Sequence, residues 1–264
     1  IKFSFHFLEN QMCDINKVFK IVSDKECNCE TAGKDIIMFL AVSQNGKSTT
    51  INIFRGAKYE LTEDEPPKLT LTNNISDYAA IGDGTGRSCT VIPGLYKSSD
   101  GSSYYFDIQG FGNTDKFKQF EGIQLNDQEI EVISSILTEI AMKKAKSVKI
   151  VLVVKYDNIK DGIKDMQETC DMIVRHIKPT SDFPLFILIN RFNSINQKTL
   201  LKFAKLTGPE KTNFIYQLIK EKVNSIDKNS GNQKNMECWG VIKSNFDERN
   251  VGYIDVEDST SIEN

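Results

Sequence analysis

Continuous apolar runs alternate with amphipathic stretches along most of this chain. Residues 36–40, 148–154 and 185–189 are short runs rich in Ile, Leu and Val, which is typical of strands buried on both faces of a parallel sheet. Residues 127–146 instead repeat apolar side chains at helical spacing, with charged residues between them. Strands that alternate with helices predict an α/β fold whose central sheet is mostly parallel and carries helices on both faces.

Shorter elements complete the predicted pattern. A strand at 90–96 is joined to a strand at 103–107 by a turn-rich stretch, which indicates a hairpin. Residues 56–78 are rich in charged and turn-forming residues, and we expect a mobile surface excursion there. The other predictions are helices at 47–54, 162–176, 197–205 and 211–227, and strands at 1–7 and 238–242.

Length and composition indicate one α/β domain with extensions. We divide the 264 residues into an N-terminal extension with an extra strand (1–34), a main domain (35–246) and an acidic C-terminal tail (247–264). A net charge of -3 with dispersed Lys and Arg lacks the basic footprint of a nucleic-acid binder, so we expect no nucleic-acid partner. The six Cys and two His residues show no spacing typical of a zinc site.

Apolar runs also bear on the expected compartment. None approaches the ~18 residues needed to cross a bilayer, so we expect no membrane span. We therefore expect an intracellular soluble protein, either cytosolic or bounded by an organelle. Because the chain begins at Ile1 rather than Met, targeting signals can lie outside this fragment.

Residues 41–48 read Ala-Val-Ser-Gln-Asn-Gly-Lys-Ser, which fits the phosphate-binding loop pattern with alanine in place of the first glycine. In this pattern backbone N–H groups wrap phosphate oxygens, Lys47 neutralises them, and the Ser48 hydroxyl binds Mg²⁺. The string lies between a predicted strand and a predicted helix, which is the context that the motif requires. The residues expected to contact the nucleotide here are Ser43, Gln44, Asn45, Gly46, Lys47, Ser48 and Thr49.

A second motif, Asp-Ile-Gln-Gly at 107–110, follows the predicted strand 103–107. Its order and place match the Asp-x-x-Gly arrangement in which Asp107 holds the Mg²⁺ shell and the Gly110 amide meets the γ-phosphate. An Asp at the carboxyl end of a sheet strand lies where α/β proteins bind their ligands. The expected metal ligands are therefore Ser48, Asp107 and a threonine between the two motifs.

That threonine is Thr90 in our interpretation, ligating Mg²⁺ when a γ-phosphate is present, and Thr85 is the competing candidate. Arg87 is a candidate for an arginine finger acting in cis on the transferring phosphate. Thr90, Arg87 and Gln109 are the candidates for a catalytic role.

The predicted base site follows the strand at 185–189 and reads Asn-Arg-Phe-Asn at 190–193. A guanine site usually has Asn-Lys-x-Asp, whose final carboxylate accepts two hydrogen bonds, whereas Asn193 has one acceptor oxygen. Losing a charge-assisted pair weakens discrimination by about 1.5–3 kcal/mol. We expect Asn190, Arg191 and Asn193 to contact a guanine base, with adenine or a relaxed choice of base as the alternatives.

Taken in order, these motifs resemble the P-loop GTPases over roughly residues 35–244. Gly-Lys-Ser-Thr-Thr-Ile-Asn at 46–52, Ser-x-Thr-x-x-Pro at 88–93 and Asp-x-x-Gly-Phe at 107–111 are similar to septin-like and immunity-associated GTPases. They also look like GTPase domains of protist proteins linked to coiled coils, and more distantly like guanylate-binding proteins and atlastins. The resemblance implies a three-layer P-loop NTPase fold, the G domain.

The same resemblance implies ligands and partners. GTP or GDP and Mg²⁺ would be held by Lys47, Ser48, Thr90, Asp107 and Gly110, and a homodimer or polymer would form through the nucleotide face, or another protein would bind. Phe111 stands where a water-orienting glutamine is usual, and Gln109 lies one place too early. The leading hypothesis is a switch with slow or partner-dependent GTP hydrolysis. A scaffold module that does not hydrolyse nucleotide and an ATP-specific P-loop NTPase are the alternatives.

Overall fold

The computed structural model describes residues 13–26, 31–42, 45–61, 69–73, 77–81, 90–110, 117–155, 185–190, 206–226 and 251–254. Its helices are α1 (Ile15–Glu26), α2 (Lys47–Phe54), α3 (Asp127–Lys144) and α4 (Gly208–Ile226). Its strands are β1 (Asp35–Leu40), β2 (Tyr59–Leu61), β3 (Leu69–Leu71), β4 (Gly94–Lys97), β5 (Ser103–Asp107), β6 (Phe117–Phe120), β7 (Ile123–Asn126), β8 (Ser147–Lys155), β9 (Leu185–Asn190) and β10 (Val251–Ile254).

Six of these strands form the central sheet, in the order β10-β9-β8-β1-β5-β4. Neighbours from β10 to β5 run parallel, and β4 is antiparallel at the edge. On β1, Met38 and Phe39 point to opposite faces of the sheet and are 1% and 0% exposed. Both faces of β1 are therefore covered, as its continuous apolar run predicts, and the α/β class with a mostly parallel sheet is confirmed.

One face of the sheet packs against α2. Ile51 and Ile53 of this helix share a hydrophobic cluster with Phe39 of β1 and Val153 of β8. Phe39 also contacts the rings of Phe54 and Tyr105, with ring centroids 6.0 and 5.7 Å away. This packing holds α2 beside β1 and β5, with the first residues of the helix near the carboxyl ends of the strands.

A second hydrophobic cluster joins α1 to α3. Val18, Ile21 and Val22 of α1 pack with apolar residues of α3 that include Ile130 and Ile133. No helix was predicted in the 1–34 extension, although the apolar spacing at 15, 18, 19 and 22 is a helical signal. The signal was missed because the extension was interpreted from its first seven residues alone.

Glu129 fixes where α1 meets α3. In a capping box at the start of α3, its carboxylate accepts the backbone N–H of Asn126 and its own N–H donates to the Asn126 side chain. The buried carboxylate of Glu129 also accepts the N–H of Asp14, the residue before α1, at 3.0 Å. One residue thus satisfies backbone groups at the beginnings of both helices.

Most predicted elements within the described residues are confirmed to within a few residues. The helices predicted at 47–54, 127–146 and 211–227 are α2, α3 and α4, and the predicted strand at 185–189 is β9. The predicted strands at 1–7 and 238–242 and the predicted helices at 162–176 and 197–205 lie outside the described residues. No helix in the described part of the chain is both long and apolar enough to span a bilayer.

Three predictions differ from the structure. The strand predicted at 90–96 begins only at Gly94, because Pro93 has no N–H to donate to a neighbouring strand. The expected surface excursion at 56–78 contains the antiparallel pair β2–β3 and the buried Ala57. Residues 251–254, in the segment predicted to be an acidic tail, form β10 at the edge of the central sheet, paired with β9.

We expect the Asp100 carboxyl, in the turn between β4 and β5, to titrate with a pKa of about 2. The Ser98 hydroxyl, and then the N–H and hydroxyl of Ser102, donate to this carboxylate at 2.6, 3.0 and 2.8 Å and stabilise its charged form. Because folding lowers this pKa, the ionised carboxyl adds to the free energy of unfolding at pH values above the unfolded pKa. This contribution is lost as the pH falls toward about 2.

An NMR titration of the Asp100 carboxyl measures this pKa directly. Ser98→Ala is expected to raise it, because the largest stabilising hydrogen bond is removed. Ser99→Ala is the matched control, since the Ser99 hydroxyl donates to the Phe54 carbonyl instead. An Asp100 pKa near the ordinary value for aspartate would contradict the expectation.

Candidate functional site

The carboxyl ends of β1 and β5 meet at one edge of the central sheet. The two strands are parallel neighbours, and Asp107, the last residue of β5, lies in register with Phe39 of β1. The chain leaves β1 at Leu40 and enters α2 at Lys47. Side chains from the start of α2 and the end of β5 therefore lie together where parallel α/β sheets bind their ligands.

A left-handed glycine makes the turn into α2. Gly46 has φ 78°, a conformation that costs other L-residues roughly 1–2 kcal/mol. Before it, the N–H of the buried Asn45 donates to the Val42 carbonyl at 3.2 Å. After it, the Gly46 carbonyl accepts the N–H of Thr50 at 2.9 Å and opens the helical ladder. This turn places Lys47 and Ser48 in the first turn of α2.

Four side chains meet at this edge, and we call them the polar cluster: Lys47, Ser48, Thr90 and Asp107. The Lys47 ammonium contacts one oxygen of the Asp107 carboxylate. The other oxygen accepts the Ser48 hydroxyl at 2.8 Å and the Thr90 hydroxyl at 3.2 Å. The two hydroxyl oxygens are 3.4 Å apart. The Asp107 carboxylate thus contacts a cation and two hydroxyls at once.

Burial makes the charges of this cluster depend on each other. The side chains of Lys47 and Asp107 are only 6% and 1% exposed. A charge withdrawn from water is costly unless it is paired and hydrogen-bonded. In the ligand-free chain each of these two charges is compensated by the other. A ligand that separates them must supply a new anion for Lys47 and a new cation for Asp107.

The donor set suits magnesium and phosphate. Mg²⁺ prefers oxygen ligands and usually binds through one or two carboxylates together with water and phosphate oxygens. Ser48, Thr90 and Asp107 offer two hydroxyls and one carboxylate of this kind, and Lys47 at a helix N-terminus suits a phosphate. Among the described residues no group of three or more His, Cys, Asp and Glu can hold a metal ion. Ser48, Thr90 and Asp107 are thus described residues that could bind Mg²⁺ together with water and phosphate oxygens.

No protein-family model matches this chain, and no curated protein matches it.

The structure describes some of the other residues predicted for the site, and the rest lie outside the described ranges. Thr49 is buried in α2, and Gly110 is buried and Gln109 half-buried just beyond β5. Asn190 is the last residue of β9, in register with Lys155 of β8. The predicted residues outside the described ranges are Ser43, Gln44, Thr85, Arg87, Phe111, Arg191 and Asn193.

Tyr96 lies near the polar cluster but was missed in the sequence. Burial, together with the nearby carboxylates of Asp107 and Asp77, raises the pKa of its phenol to about 12. Gly94, which pairs with Asp107, leaves room for this ring, because a Cβ there would lie 2.6 Å from the Tyr96 hydroxyl. No local motif signals these residues, since their place depends on the pairing of β4 with β5.

Proposed function

We propose that this chain is a magnesium-dependent guanine-nucleotide-binding switch protein of the P-loop GTPase kind. The observation that carries the proposal is the polar cluster of Lys47, Ser48, Thr90 and Asp107 at the carboxyl edge of the central sheet. These four residues come from three separate parts of the sequence. Each has the side chain that its motif requires for phosphate or metal binding.

Lys47 and the start of α2 would hold the phosphates. Backbone N–H groups at a helix N-terminus and the positive end of the helix dipole favour an anion, and Lys47 adds a full charge. On binding, Lys47 would exchange its contact with Asp107 for phosphate oxygens. The exchange keeps the buried ammonium paired, which favours a strongly anionic ligand such as a nucleoside di- or triphosphate.

Ser48, Asp107 and Thr90 would hold Mg²⁺ beside the phosphates. The metal would supply charge compensation between the phosphates and the Asp107 carboxylate when it is bound. Ser48 and Asp107 are held by regular elements, α2 and β5, whereas Thr90 lies before β4 in a segment without regular structure. Thr90 is therefore the ligand whose position can depend on the γ-phosphate, which is the basis of a switch.

Slow or partner-dependent hydrolysis is part of the proposal. The chain has Phe111 where the water-orienting glutamine is usual. Because a phenyl ring has no group that can orient an attacking water, hydrolysis would be slow without a partner. A surface that changes around Thr90 and Gly110 with the bound nucleotide would control self-assembly through the nucleotide face or the binding of another protein.

The test is calorimetry on the purified chain with GDP, a non-hydrolysable GTP analogue and the matching adenine nucleotides, with Mg²⁺ and with EDTA. We expect binding of both guanine nucleotides that weakens strongly without Mg²⁺, and weaker binding of the adenine nucleotides. Equal binding of adenine and guanine nucleotides would favour a relaxed choice of base, and tighter binding of the adenine nucleotides would favour an ATP-specific site. Absence of magnesium-dependent nucleotide binding would refute the proposal, and phosphate release separately distinguishes a GTPase from a scaffold that holds nucleotide.

A further inference from the structure

Asn52 of α2 holds the backbone of a distant residue, Ala79. Its side-chain N–H donates to the Ala79 carbonyl at 2.8 Å, and its side-chain oxygen accepts the Ala79 N–H at 2.7 Å. The second N–H of the amide donates to the Tyr59 hydroxyl at 3.0 Å. Asn52 is 0% exposed and Ala79 is 0% exposed, so water cannot replace these bonds. This pairing fixes the orientation of the amide, since only the oxygen can accept an N–H.

The same face of α2 carries Asn52 and Ser48. The two residues are four positions apart, so they lie on one side of the helix and about 6 Å apart along its axis. Ser48 lies beside Thr90 in the polar cluster, and Asn52 bonds to Ala79. One helix face therefore contacts the chain at Ala79 and again at Thr90.

Arg55 adds a second attachment just before Ala79. Its guanidinium donates to the carbonyl of Asp77 and, at 2.9 Å, to the carbonyl of Lys97 at the end of β4. Asp77 has φ 61°, a left-handed conformation that an aspartate tolerates only at a cost. The chain is thus tied to α2 at Asp77 and Ala79, ahead of the residues that lead to Thr90.

From this arrangement we infer that Asn52 is a positioning residue of the nucleotide site, which holds Ala79 in place ahead of Thr90 in the chain. The inference rests on the proposed function and extends it to a residue that touches neither phosphate nor metal. Lys47, Ser48 and Asp107 are available whether or not the γ-phosphate is present. Thr90 is the first residue of the polar cluster that follows Ala79 along the chain, so loosening Ala79 should weaken binding of the triphosphate more than that of the diphosphate.

Asn52→Leu tests the inference, because leucine has a similar size and removes all three hydrogen bonds. We expect the affinity for the magnesium complex of a GTP analogue to fall about tenfold relative to the affinity for magnesium GDP, as expected when buried polar groups lose their partners. Thr90→Ala removes the hydroxyl itself, so it shows the largest fall in the ratio of GTP-analogue affinity to GDP affinity that a displaced Thr90 can cause. In the double variant, Asn52→Leu should cause no further loss beyond that of Thr90→Ala, because both changes act through Thr90.

Asn73→Leu is the matched control. The Asn73 side chain also bridges two backbone groups, donating to the Gly56 carbonyl at 2.8 Å and accepting the Lys58 N–H at 2.7 Å. It ties the β2–β3 pair to the end of α2 and makes no bond to the chain at Asp77 or Ala79. Its removal should leave the ratio of the two affinities unchanged, whatever it does to stability.

The outcomes separate this inference from the proposed function. If the wild-type chain binds no guanine nucleotide, the proposed function fails first. If the wild type binds but folded Asn52→Leu keeps the wild-type ratio of GTP-analogue affinity to GDP affinity, the positioning role is wrong. The role is also wrong if Asn73→Leu lowers this ratio equally.

Should Asn52→Leu fail to fold, hydrogen exchange of the Ala79 amide in the wild type decides. Greater protection with the GTP analogue than with GDP supports the role, and equal protection overturns it.

Discussion

Replacing Asp107 with alanine is expected to lower the free energy of unfolding of the ligand-free chain by about 3–5 kcal/mol. The change leaves the Lys47 ammonium buried without its anion, because the side chain is 6% exposed and contacts the carboxylate directly. The hydroxyls of Ser48 and Thr90 also lose the oxygen that accepts both of them. Urea unfolding followed by circular dichroism, without nucleotide or Mg²⁺, measures the loss.

Two further variants show whether the unpaired charge is the cause. Lys143→Ala removes a lysine from an ion pair with Glu139 on α3, but there the two side chains are 69% and 26% exposed. An exposed pair of this kind contributes about 0.3–0.5 kcal/mol, so little change is expected. Lys47→Met combined with Asp107→Leu removes both buried charges and should restore much of the stability. A loss for Asp107→Ala as small as that for Lys143→Ala would contradict the argument.

Replacing Ser48 with alanine is expected to weaken magnesium-dependent GTP binding by roughly tenfold to hundredfold. The change removes one oxygen ligand and one hydrogen bond to a charged group, a kind of bond that contributes about 1.5–3 kcal/mol. The first turn of α2 should remain intact, since alanine is a good helix former. Calorimetry with a GTP analogue at saturating Mg²⁺ measures the loss.

A serine at the other end of the sheet provides the control. The Ser147 hydroxyl donates to the Asp35 carboxylate at 2.6 Å, just as the Ser48 hydroxyl donates to Asp107 at 2.8 Å. Ser147 begins β8 and Asp35 begins β1, so this pair lies at the amino edge of the strands. Ser147→Ala should leave nucleotide affinity unchanged. With EDTA the Ser48→Ala and wild-type affinities should converge, and a defect that persists without Mg²⁺ would exclude a metal-binding role for Ser48.

Local pattern was enough for most of the elements around the site. The short apolar run at 36–40 is typical of a buried strand and the apolar spacing at 127–146 is typical of a helix, and both elements are present as β1 and α3. The helix at 47–54 was predicted from the residues that follow the polar stretch 43–46, and α2 has the same bounds. Residues 251–254 were missed because their side chains have no clear period and acidic residues surround them.

What the sequence by itself determined was the α/β class and the set of residues with phosphate and metal chemistry at the ends of predicted strands. The tertiary structure decided that β5 lies beside β1, and this pairing brings Asp107 to Lys47 and Ser48, which are 60 and 59 positions away in the chain. It likewise placed Gly94 opposite Asp107, and Ala79 against Asn52. Such contacts depend on strand order, on register and on the packing of the helix against the sheet, which local periodicity does not specify.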